Sequence, residues 1–68
     1  MKLSARNQLK GTIHSITKGA TTSHVTIDVN GTVITSAITN EAVAELGLEV
    51  GKTAYAVIKA SSVMVGVD

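Results

Sequence analysis

The 68-residue chain has no cysteine, tryptophan, phenylalanine or proline, a single tyrosine, and a formal net charge of +1. That excludes disulfides and thiolate metal sites, the broad basic field of a nucleic-acid binder and the aromatic platforms on which single-stranded bases stack. Apolar residues make up 44% of the chain, more than one small domain hides by itself, so the composition predicts a single domain over residues 1–68 that assembles with copies of itself.

Leu9, Gly11 and Ile13 alternate with Lys10, Thr12 and His14, the period of a strand with one covered face. Ile16 then falls on the polar face, which places a bulge or bend at Gly11, and Lys18-Gly19-Ala20 ends the strand. Val25, Ile27 and Val29 alternate with His24, Thr26 and Asp28 in a second strand. Asn30-Gly31 follows, the dipeptide favoured where a two-residue hairpin turn needs positive φ at both positions. The third strand, Thr32 to Ile38, carries Ile34 and Ile38 on one face and Val33 and Ala37 on the other, implying burial on both.

Asn40 is placed to cap a short helix through about Leu46, stopped by Gly47, with Ala42, Val43 and Leu46 as its buried stripe. After a turn at Leu48–Lys52, Ala54, Ala56 and Ile58 alternate with Tyr55, Val57 and Lys59 in a fourth strand. Val63, Val65 and Val67 form a short fifth. The fold class expected is therefore all-β: a five-stranded OB-like Greek-key barrel with one short helix between strands 3 and 4. Element order alone also fits an SH3-like barrel.

Two polar stretches stand out against this apolar frame. Ser4-Ala5-Arg6-Asn7 leads into the first strand, and Lys59-Ala60-Ser61-Ser62 ends the fourth. Together they offer a guanidinium, an ammonium, several hydroxyls and the backbone N–H groups of strand ends, the donors needed to hold a small oxyanion. The expectation is that they meet across subunits and not inside one. Simpler roles exist for each residue. Lys59 would serve as a solvated edge guard, Arg6 as a partner of Glu41, Glu45 or Glu49, and Ser4, Ser61 and Ser62 as ordinary turn residues.

The stretches Ser4-Ala5-Arg6-Asn7-Gln8-Leu9-Lys10-Gly11, Ala37-Ile38-Thr39, Leu46-Gly47-Leu48-Glu49-Val50-Gly51-Lys52 and Ile58-Lys59-Ala60-Ser61-Ser62-Val63-Met64-Val65 resemble the molbindins. These are small Mop proteins that bind molybdate and tungstate in the cytoplasm. The resemblance implies an OB-like barrel assembled as a homohexamer, a trimer of dimers, with oxyanion sites between subunits. It nominates Ser4 and Arg6 of one subunit, with Asn7 beside them, and Thr39, Lys59, Ala60 and Ser61 of another, the alanine through its backbone. Ala42 stands where related sequences often have serine, which implies one hydroxyl donor fewer.

Molybdate is a tetrahedral dianion with acceptor oxygens only, so its pocket needs inward donors and no nearby carboxylate. The residues nominated meet that requirement. His14 and His24 lack the further ligands of a metal site, and Glu41 and Glu45 read as a solvated helix face. No nucleophile–base pair, P-loop or dinucleotide fingerprint occurs, so a binding protein is expected and not an enzyme. A bound pterin would find no large aromatic surface. No apolar run approaches the ~20 residues of a membrane span, and no signal-peptide core follows Met1, which predicts a cytoplasmic protein. Two rivals follow from the barrel type and from self-assembly: an oligonucleotide-binding module and a ligand-sensing self-assembly domain.

Overall fold

The computed structural model describes residues 1–68. Its organising element is β1 (Asn7–Lys18), which serves two neighbours in succession. The first half, Asn7 to Thr12, pairs with β4 (Thr53–Ile58), and the second half, Thr12 to Lys18, pairs with β2 (Thr22–Val29). β2 turns back into β3 (Thr32–Thr39) through Asn30 and Gly31 at φ 51° and 90°, the twist that suits right-handed strands. The four strands form one antiparallel sheet in the order β3-β2-β1-β4, with the helix α1 (Asn40–Leu46) after β3.

The phase slip in β1 falls at His14 and not at Gly11: the register jumps between Ile13 and Ser15. One extra residue there lets both Ile13 and Ile16 reach the core side. Gly11 has a different duty. A Cβ at that position would collide with the Asp28 carbonyl oxygen of the neighbouring strand, so glycine is needed for the two backbones to approach.

Only Ile13, Val25, Ile27 and Ala56 form the fully buried apolar core, ringed by half-buried Ile16, Ile34, Ile38, Val43 and Leu48 among others. β3 departs from expectation. Ile34, Ser36 and Ile38 face inward half-buried, while Val33 and Ala37 are exposed, because nothing in the chain packs on its second face.

The helix is capped by Thr39 and not by Asn40: the Thr39 hydroxyl accepts from the Ala42 N–H at 3.0 Å. Asn40 instead ties the helix start to the β1–β2 connection. Its carbonyl oxygen accepts from buried Ser23 at 2.6 Å, and its amide donates to the Gly19 carbonyl at 3.1 Å. Gly47, at φ 62°, ends the helix as expected. Ala42 and Val43 are half-buried, but Leu46 stands exposed, so the predicted stripe is narrower than its spacing suggested.

The largest correction concerns the fifth strand. Val63 to Val67 form none: a single 3-10 turn over Ala60–Ser62 redirects the chain, and the tail leaves the body with Val65 and Val67 more than nine-tenths exposed. Without that strand the sheet curls but does not close. Its two edge strands, β3 and β4, border one apolar groove of about 640 Å³ lined by Val25, Ile27, Ile34, Ile38, Ala56 and Ile58 among others. No helix is long and apolar enough to cross a membrane.

Candidate functional site

The pairing of β1 with β4 decides where the polar stretches lie. Asn7, the first residue of β1, sits opposite Ile58, the last of β4, so the Ser4–Asn7 stretch leads into the same end of the β1–β4 pair that the Lys59–Ser61 stretch leaves. The expectation that the two stretches meet across subunits concerns an assembly; within one chain the register brings together only the strand-end residues Asn7 and Ile58. The half-buried Asn7 side chain locks the junction, its amide donating to the Ile58 carbonyl at 3.2 Å. Asn7, nominated as an anion donor, uses one amide N–H to fix the backbone leading into Lys59 and keeps a second for another acceptor. Its place at the very start of a strand was the available signal.

Beyond Ile58 the chain turns sharply. Ser62 N–H donates to the Lys59 carbonyl at 2.8 Å, and Val63 N–H to the Ala60 carbonyl at 3.2 Å. The N–H groups of Ala60 and Ser61, at the head of this turn, have no backbone partner, so they remain free to serve an acceptor, as at the start of any helical turn. The serine hydroxyls at Ser4 and Ser61 make no hydrogen bond within the chain either, and both residues are exposed.

Thr39 belongs to the other edge strand. Its predecessor Ile38 lines the same groove as Ile58, but the registers set Thr39 opposite Thr22, beside the Lys18 end of β1, and Lys59 just past the Asn7 end. As helix cap, the Thr39 hydroxyl spends a lone pair on Ala42 N–H; its own proton stays available as a donor.

Charge at the Asn7–Ile58 end of the sheet is positive and uncompensated. The one ion pair in the chain joins Lys52 to Glu49 at 2.7 Å, leaving Arg6 and Lys59 without a carboxylate partner. The Lys52 ammonium, hydrogen-bonded to Glu49 and attracting it, holds that carboxyl below the usual range. Arg6 therefore does not take the ion-pair role open to it in the sequence. His14 and His24 join no group of three His, Cys, Asp or Glu side chains. Of the nominated residues only Asn7 is even half-buried; Ser4, Arg6, Thr39, Lys59, Ala60 and Ser61 are all exposed. One chain thus presents donors on an open surface and encloses nothing.

Comparison with known proteins places the chain. A family model described as the TOBE domain matches residues 3–65, and the chain is 58% identical over 69 residues to the probable molybdenum-pterin-binding protein of Haemophilus influenzae, with both chains covered in full. This chain is a molbindin of the TOBE family. The same backbone recurs among solved molbindin structures. MopII from Clostridium pasteurianum superposes with a TM-score of 0.91 at 40% identity, over 97% of this chain and 100% of that one. The cytoplasmic molybdate-binding protein ModG, in a form with molybdate bound, superposes with a TM-score of 0.94 at 55% identity, over 100% of this chain and 49% of its own.

Proposed function

We propose that this molbindin binds molybdate, and tungstate by the same tetrahedral chemistry, and that it stores or buffers the oxyanion in the cytoplasm without catalysing a reaction. The observation that carries the reading is the Asn7–Ile58 end of the β1–β4 pair, which leads into Arg6 and Lys59, both free of carboxylates, and into two N–H groups without a backbone partner. Molybdate binding by relatives that share this backbone supports it. Ser4, Arg6, Lys59, Ala60, Ser61 and Thr39 supply donors in this reading, and Asn7 holds their backbone in place.

A dianion on an open surface gains little, because water competes for every donor; enclosure strengthens each charge-assisted bond. Enclosure is assigned to assembly. The seam between β3 and β4 lacks the strand that would complete a five-stranded barrel, and the apolar Val63–Val67 segment lacks a sheet to join. We infer that the segment of one copy fills the seam of another and covers the anion site. Repetition of this exchange is compatible with a trimer of dimers.

Titration calorimetry with molybdate tests the binding directly. Saturable heat is expected, with affinity falling roughly 10- to 100-fold in Lys59→Ala, the loss that one charge-assisted hydrogen bond of about 1.5–3 kcal/mol brings. No heat with either molybdate or tungstate would end this reading.

A further inference from the structure

The β2–β3 turn places chemistry that the anion site does not use. Asn30 is exposed and is followed by a glycine, so no side chain shields its amide carbon; a Cβ at Gly31 would meet nothing within 4 Å. The nitrogen that could attack that carbon, Gly31 N–H, donates to the Asp28 carboxylate at 2.8 Å. Asp28 lies half-buried one residue before the end of β2, and its register partner Val33 is the second residue of β3.

We propose that Asn30 is a site of spontaneous deamidation and that the Asp28 carboxylate is the latch that slows it. In the reaction Gly31 N loses its proton and attacks the Asn30 side-chain carbon. A nitrogen–carbon bond forms, the bond to Nδ2 breaks, and ammonia leaves with the proton. Water then opens the five-membered imide at either carbonyl, giving aspartate or isoaspartate, with nothing oxidised or reduced. Deprotonation of Gly31 is the demanding step. A carboxylate that accepts its hydrogen bond stabilises the N–H form and repels the amide anion. The two-residue turn supports the same restraint, since it fixes the backbone on either side of the reacting pair.

The product matters to the fold. Either outcome adds a negative charge and cancels the chain's net +1. Isoaspartate also lengthens the backbone within a turn whose size sets the register of β3, the strand that lines one side of the seam. Aged molecules would therefore lose assembly before they lose the β1–β2 core. The deamidation itself stands independently of the molybdate reading.

The purified full chain, incubated at mildly alkaline pH and followed by peptide mass spectrometry with isoaspartate detection, tests this against Asp28→Ser and Asp28→Asn. Amide exchange at Gly31, read by NMR, reports the same deprotonation without the covalent step. Asp28→Ser should raise both rates roughly ten-fold or more, the scale set by losing one charge-assisted hydrogen bond. Asp28→Asn, which keeps a neutral acceptor, should fall between. Circular dichroism of each variant confirms that the sheet is intact, and Asp28→Asn carries the test should Asp28→Ser unfold. Equal rates in the wild-type chain and the folded variants would overturn the proposal, as would the absence of any product at Asn30.

Discussion

The two halves of this sheet are built to different standards. Where β1 meets β2, Ile13 and Val25 are buried within the chain, Ser23 is paired with Asn40, and Ser15 shares a hydrogen bond with Thr26 at 2.6 Å. Where β3 and β4 face each other, the inward residues border a groove and the strand between them is missing. The first half satisfies itself, and the second is left open within one chain. That contrast separates folding from function: the donors sit at the rim of the unfinished half, so the chain can acquire its shape before it acquires a closed site.

The sharpest way to break this division is to spoil the tail alone. Val65→Asp would carry an unpaired carboxylate into an apolar seam, a cost of several kcal/mol. Native mass spectrometry should then show monomers where the parent forms oligomers, and molybdate binding should vanish while the circular dichroism of the sheet persists. A monomeric parent that still binds molybdate would contradict the closure by exchange. Ile13→Ala attacks the other half. Truncating this buried residue should cost about 2–5 kcal/mol and lower the unfolding midpoint in urea, with binding lost only as the fold is lost.

A smaller and more discriminating effect is expected at Thr39, which caps the helix and ends the edge strand β3. Thr39→Ala should cost about 1 kcal/mol of stability and weaken molybdate as well, whereas Thr39→Ser should preserve both, as thermal melts and calorimetry would show. Smallest of all is the exposed Lys52–Glu49 pair. The folded-state pKa of Glu49 is lowered, so its contribution is present above the unfolded carboxylate pKa and fades as pH falls through the lower folded value. Glu49→Gln should flatten that acid-side slope slightly and leave stability at neutral pH nearly unchanged.

The self-satisfied half was legible in the sequence because period-2 alternation and Asn30-Gly31 turn chemistry are local signals. The misreadings there were also local. Local cues produced them, and distant contacts decide otherwise: a glycine in a strand suggested the bulge, when close approach to Asp28 was its reason, and Asn40 was read as the cap, when it staples the helix start to Ser23 and Gly19. The unfinished half misled more deeply. Val63–Val67 has strand periodicity, but periodicity cannot say which molecule supplies the ladder. The same ambiguity made β3 read as buried on both faces. At the site, residue types were readable from the two polar stretches, while the Asn7–Ile58 register that ends both at one edge of the sheet is not encoded by spacing.

Open edges on β3 and β4 carry a consequence for how the protein must be made. Under the proposed exchange of segments, each newly synthesised chain displays, until a companion covers it, unpaired rows of amide and carbonyl groups, templates that accept any extended peptide. Dilute expression would prolong that vulnerable interval, and crowding with foreign unfolded chains would fill it wrongly. Yield of the correct assembly should therefore rise with the rate at which sister copies appear together, making synthesis in bursts safer for this molecule than a slow trickle.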